Sequence, residues 1–131
     1  MAGYMNKEDM MLKLETVLTP KRFIHSLNVM NTAVELAKKY SVDVEKAAVA
    51  GLLHDCARNI RGREVFELCG KYGIKTDYIT TSQPELLHGP IGYYLAHEEY
   101  GVKDRDIQEA IYSHTTGSEN MSLLAKIVFM A

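Results

Sequence analysis

The chain has 131 residues, 47% hydrophobic and 24% charged, with 9 glycines and 3 prolines. These proportions are those of a globular domain with one core, which excludes disordered, collagenous and repeat architectures. Fifteen basic against seventeen acidic residues leave a net charge of -2, which offers no overall attraction for a phosphate backbone and disfavours a nucleic-acid partner.

The opening stretch Met1 to Met11 carries Lys7, Glu8 and Asp9 where a secretory signal is apolar, and no apolar run reaches the roughly 18 residues of a membrane span. No membrane partner and a cytoplasmic location are expected. Cys56 and Cys69 lie thirteen positions apart with no C-x-x-C motif, which argues against a disulfide framework or a zinc ribbon and fits a reducing compartment.

Along the chain, Thr19-Pro20 reads as an N-cap followed by proline in the first helical turn. Phe23, Leu27, Met30, Val34 and Ala37 then recur at helical spacing, predicting an amphipathic helix to about Lys39. His25 sits at the edge of its apolar arc, beside the stripe Val29, Ala33 and Leu36. Asp43 caps a second helix whose run Ala47 to Leu53 has no polar break, the signature of a central, buried helix. That run ends in His54-Asp55. Further helices are predicted around Val65 to Tyr72, closed by Gly73, from Pro90 to Tyr100, closed by Gly101, from about Asp104 towards His114, and from Met121 to Ala131. Only Gly73 to Pro84 lacks a helical pattern. The expectation is one all-α domain over residues 1–131, built as a helical bundle.

The histidines carry the chemistry. An ionised carboxylate at the end of an apolar helix needs a cation or strong donors, so Asp55 demands a partner. His25, His54, His88 and His114 fall on or beside apolar stripes of different helices, and four imidazoles with one carboxylate form the ligand set of zinc, iron, manganese or nickel. Any one such histidine is ordinarily a hydrogen-bonded core residue. Their combination points to a metal. His97 lies among Glu98, Glu99 and Tyr100 on a solvated face and is excluded from the site, while Cys56 reads as a packing residue because metal-activated water makes a thiol unnecessary. Arg58 lies one turn beyond Asp55 and is placed to meet an anion; Arg22 and Lys21, one turn before His25, are weaker candidates, and Arg61 and Arg63 read as solvated surface. Thr115, Thr116 and Gly117 offer hydroxyls and backbone donors at a helix end, suited to a phosphate or simply to capping.

The order His25, His54-Asp55 and a late aspartate resembles the HD-domain superfamily of metal-dependent phosphohydrolases. The elements Leu86-Leu87-His88-Gly89-Pro90 and Ser113-His114-Thr115-Thr116-Gly117 narrow the resemblance to its YqeK-type members, the symmetrical bis(5'-nucleosyl)-tetraphosphatases, over about Lys7 to Ala131. The resemblance implies an HD-domain helical bundle that cleaves diadenosine tetraphosphate into two ADP. It implies two metal ions, with iron favoured: His25, His54 and Asp55 on one, and His88 and His114 on a second that Asp55 bridges. Asp55 and Arg58 become the catalytic residues, and Arg58, Arg22, Thr115 and Thr116 the contacts to a dinucleoside polyphosphate. A homodimer is left open. The family's late aspartate follows a helix like Lys126 to Ala131, and no aspartate follows it here, so the resemblance also implies that the domain is truncated at its C-terminal end. Two other readings stand beside it: an HD-domain nucleotidase or alarmone hydrolase, and a non-catalytic, metal-binding nucleotide sensor.

Overall fold

The computed structural model describes residues 5–131, so the first four residues of the domain expected over 1–131 lie outside the described residues. Among the described residues there are eight α-helices and one 3-10 turn, and no strand. The all-helical expectation holds. The helices are α1 (Lys7–Val17), α2 (Pro20–Tyr40), α3 (Val44–Leu53), α4 (Arg63–Tyr72), α5 (Tyr78–Ser82), α6 (His88–Tyr100), α7 (Arg105–Tyr112) and α8 (Leu123–Met130), with the 3-10 turn at Pro84–Leu87 ahead of α6. No helix of the described residues is long and apolar enough to cross a membrane.

The caps explain the boundaries. The side chains of Thr19, Asp43 and Asp104 each accept a backbone N–H in the first turn of the helix they precede, satisfying donors that the helix itself leaves unpaired. Gly73 and Gly101 close α4 and α6 in the left-handed conformation, where a side chain would clash with its own backbone. Helix α3 is the axis of the fold. Every residue from Ala47 to Leu53 is buried, and the helix packs on α2, α7 and α8. Gly51 makes the α2 contact possible, because a Cβ there would stand 3.0 Å from the Met30 Cα and 3.2 Å from the Val29 carbonyl oxygen. A second, smaller apolar cluster of Ala57, Val65, Cys69, Leu87 and Ile91 joins α4 to α6.

Two elements depart from the sequence expectation. Helix α1 forms at the amino-terminal end, where Asn6 caps it and Met10 and Leu14 are buried; with two buried positions in eleven residues it shows little periodicity to read. Inside the stretch expected to be non-helical, Asp77 and Thr80 form a reciprocal capping box that opens the single turn of α5. None of the residues of α5 is buried, so it has no apolar stripe to betray it.

Candidate metal centre

The site lies where the end of α3 meets α2 and the residues following α7. The chain leaves α3 at His54 and turns sharply, with the N–H of Arg58 donating to the Asp55 carbonyl at 2.9 Å. This turn keeps His54 and Asp55 inside the bundle: both are buried, and the Asp55 side chain is only 3% exposed.

Three imidazoles ring that carboxylate. The Nε2 atoms of His25 and His54 lie 4.0 and 3.5 Å from Asp55 Oδ2, and His114 Nε2 lies 3.4 Å from Oδ1. The rings of His25 and His54, and of His54 and His114, stand edge to face with centroids 5.3 and 5.1 Å apart. His25, His54 and Asp55 each present one ligand atom, all within 4.8 Å of one another, which is a grouping fit to hold a metal ion. His25 is the exposed member and forms the open side of the site.

The far ring nitrogens support that reading. His54 Nδ1 lies 2.7 Å from the Gly51 carbonyl and His114 Nδ1 lies 2.6 Å from the Ile111 carbonyl. An imidazole whose Nδ1–H donates to a carbonyl presents a bare Nε2 lone pair, the tautomer that a metal requires. His114 Nε2 is buried and has no hydrogen-bond partner, although Asp55 is near, because the geometry between them is wrong for a hydrogen bond. A buried, unpartnered nitrogen aimed at a carboxylate is what a cation would satisfy.

Electrostatics agree with the geometry. Burial pushes the pKa of His54 down to about 4, against the pull of the Asp55 charge, so the ring is neutral and able to ligate at neutral pH. For Asp55, burial acts to raise the pKa, but the contact with His114, the attraction of the His54 and His114 imidazoles in the acid range where the carboxylate would protonate, and the Arg58 guanidinium outweigh it and hold the group well below the usual carboxylate range. Asp55 is therefore an anion in a dry site, the partner a cation needs.

His88 stands apart from this group. It opens α6 and is buried, its Nε2 lies 3.2 Å from the Ile60 carbonyl, and its Nδ1 is buried with no partner. Burial lowers its pKa as well. What brings α6 to α7, and so His88 towards His114, is Gly89: a Cβ there would overlap the Tyr112 carbonyl oxygen. Gly92 repeats the arrangement one turn on, with a Cβ that would come within 2.9 Å of an Ile111 methyl. Neither glycine has a positive φ, so no turn signal marks them; spacing of small residues within a helix is the sequence trace they leave.

The basic residues divide into two sets. Arg22 reaches inward, with a guanidinium nitrogen 3.7 Å from Asp55 Oδ2. Arg58, with Arg61, Pro84 and His88, lines a cleft of about 480 Å³ beside the site. Thr115 and Thr116 follow α7 as an exposed turn directly after His114. His97 is exposed on α6, and burial pushes the Cys56 thiol up to about 12, which leaves it protonated and unreactive.

The chain is similar to known proteins along nearly its whole length. The HD domain family model matches residues 22–131. The symmetrical bis(5'-nucleosyl)-tetraphosphatase of Bacillus subtilis is 38% identical over 127 residues, covering 97% of this chain and 68% of the relative. The protein of that name from Halalkalibacterium halodurans is 39% identical, covering 97% of this chain and 67% of the relative. A crystal structure of a predicted HD superfamily hydrolase involved in NAD metabolism from Clostridium acetobutylicum superposes with a TM-score of 0.93 at 42% identity, over 98% of this chain and 68% of that one. The chain thus spans about two thirds of the length of these relatives. Membership carries a divalent metal with it, and the neutral His54 imidazole beside an ionised Asp55 suits one. With its helical fold and its His-Asp pair at the end of a buried helix, this chain belongs to the HD domain family.

Proposed function

We infer that this chain is a metal-dependent phosphohydrolase that splits diadenosine tetraphosphate at its centre into two ADP. The observation that carries the reading is the Asp55 carboxylate ringed by the Nε2 atoms of His25, His54 and His114 at 4.0, 3.5 and 3.4 Å. Its substrate rests on similarity to symmetrical bis(5'-nucleosyl)-tetraphosphatases over 97% of the chain.

His25, His54 and Asp55 would hold one metal. His88 and His114 would hold a second, with iron in both positions; the support is that each has a buried ring nitrogen without a hydrogen-bond partner. Bound metal supplies a Lewis acid for phosphate oxygens and a hydroxide nucleophile at neutral pH. Asp55 fixes the charge balance of the site and accepts no proton at neutral pH, since its pKa is held low. Arg58, at the mouth of the adjoining cleft, binds the phosphates and neutralises the charge that develops on the leaving ADP. Arg22 guards the inner face of the carboxylate, and Thr115 and Thr116 offer hydroxyls to the polyphosphate. The buried Cys56 and Cys69, both free thiols, support a cytoplasmic setting.

Chromatography of the products tests the reading. Metal-reconstituted protein given diadenosine tetraphosphate should release two ADP per molecule consumed. Inorganic phosphate from nucleoside monophosphates, or pyrophosphate from a guanosine alarmone, with no action on the dinucleotide, would replace it with the nucleotidase reading. Tight nucleotide binding without turnover would replace it with a sensor.

A further inference from the structure

A symmetrical dinucleotide carries a nucleoside on each side of its phosphates, so its enzyme must accommodate a base at some distance from the metal. The ribose and the phosphate nearest it separate that base from the reacting phosphorus. The surface offers clefts of similar size but different character. One, lined by Lys13, Glu64, Lys71, Glu98 and Glu99, carries three carboxylates, and another contains Glu109 and Glu119. Both are poor places for a nucleotide, whose own charge is negative.

The cleft of about 460 Å³ between the Gly73–Thr80 segment and the junction of α6 with α7 is different. Its walls include Ile74, Leu87, Pro90, Tyr94 and Tyr112, with Thr116 and Lys75 at its polar edges, and none of its lining residues is acidic. Two of its lining residues neighbour the site's histidines in the chain: Leu87 precedes His88 and Thr116 is two residues after His114. The 3-10 turn Pro84–Leu87 borders it on one side and the Arg58 cleft on the other, contributing Leu86 and Leu87 to the first and Pro84 and Glu85 to the second. An apolar, aromatic cavity next to a basic one matches the two ends of a nucleotide, base and phosphate. Tyr112 lies between this cleft and the Glu109–Glu119 one, lining both; it meets the Tyr93 ring edge to face, with centroids 6.1 Å apart, and the residue is 45% exposed. Its main chain lies close against α6, where a Cβ at Gly89 would overlap the Tyr112 carbonyl oxygen.

We propose that this cleft is a nucleobase subsite, in which the Tyr112 ring takes the base by stacking and Thr116 receives the ribose-phosphate leading back to the metal centre. The proposal rests on the phosphohydrolase reading for its substrate but on the cleft for its geometry. Stacking on an aromatic ring is tolerant of base identity, so adenine and guanine dinucleotides are both accepted.

The test compares Tyr112→Ala and Tyr112→Phe with the parent protein by two readouts: steady-state kinetics on diadenosine tetraphosphate, and calorimetric binding of ADP against inorganic pyrophosphate. Tyr112→Ala should raise KM for the dinucleotide and weaken ADP binding about tenfold, with kcat within about twofold and pyrophosphate binding unchanged. Tyr112→Phe, which keeps the ring, should match the parent. Equal losses for ADP and pyrophosphate, or unchanged ADP binding in Tyr112→Ala, would overturn the subsite. If the parent binds ADP through Tyr112 but does not cleave the dinucleotide, the subsite stands and the hydrolase reading falls; cleavage by Tyr112→Ala with the parental KM gives the converse.

Discussion

His114 Nε2 and Asp55 Oδ1 lie 3.4 Å apart, from chain positions separated by the whole of α4 to α7, and neither satisfies the other by a hydrogen bond. Their approach makes sense when a cation stands with them. Removing either His54 or Asp55 should therefore strip metal and abolish hydrolysis, whereas His97→Ala, on the exposed face of α6, should leave both at parental levels. Elemental analysis of purified variants decides it. Loss of metal in His97→Ala equal to that in His54→Ala would dissolve the distinction between ligand and bystander.

Arg58→Ala should act on turnover and spare metal content, since the partner proposed for it is phosphate. Losing one charge-assisted contact that strengthens in the transition state costs about 2 to 4 kcal/mol, or roughly 30- to 1000-fold in kcat. An unchanged rate with metal intact would return Arg58 to the solvated surface.

The close approach of α6 to α7 makes Gly89 the most sensitive glycine. In Gly89→Ala the new methyl overlaps the Tyr112 carbonyl oxygen, and main chain cannot rotate away as a side chain can. Overpacking of this kind costs about 1 to 3 kcal/mol. Urea unfolding should show that loss. Gly70→Ala is the control, because nothing lies within 4 Å of its built Cβ, and a helical position there should gain slightly.

Acid titration of stability reads a different part of the fold. Asp104 caps α7 by accepting the N–H groups of Asp106 and Ile107, and it pairs with Lys46 at 3.1 Å. Burial raises its pKa, but the Lys46 contact and the cap bonds outweigh that and hold it below the usual 3.8. A carboxyl with a depressed folded pKa contributes stability that is complete above its unfolded value and is lost as pH falls through the folded one. Asp104→Ala should thus cost about 1 kcal/mol at pH 7, a typical cap loss, and progressively less below about pH 4. A deficit that does not shrink in acid would remove the charge from the account.

The helices and the site were legible to different degrees, for physical reasons. Helices α2, α3, α4 and α7 carry caps and stripes that local chemistry writes into adjacent residues, so their boundaries agree with expectation to within about two residues. The buried run before His54-Asp55 marked the carboxylate as one needing a partner, and the structure surrounds it with His25, His54 and His114. Helix α1 was missed because its apolar side is only Met10 and Leu14, and α5 because a capping box needs no core. The Ile60 carbonyl against His88 and the contact of Gly89 with Tyr112 were out of reach, since both join segments more than twenty residues apart.

Heavy-oxygen labelling of the products tests the central claim most directly. Hydrolysis at the central bridge adds one water oxygen to one of the two terminal phosphates formed. In labelled water, diadenosine tetraphosphate should give only ADP, with half of the ADP molecules carrying one heavy oxygen on the terminal phosphate. ATP and AMP as the product pair, whichever of them carries the label, would contradict symmetrical cleavage by this chain.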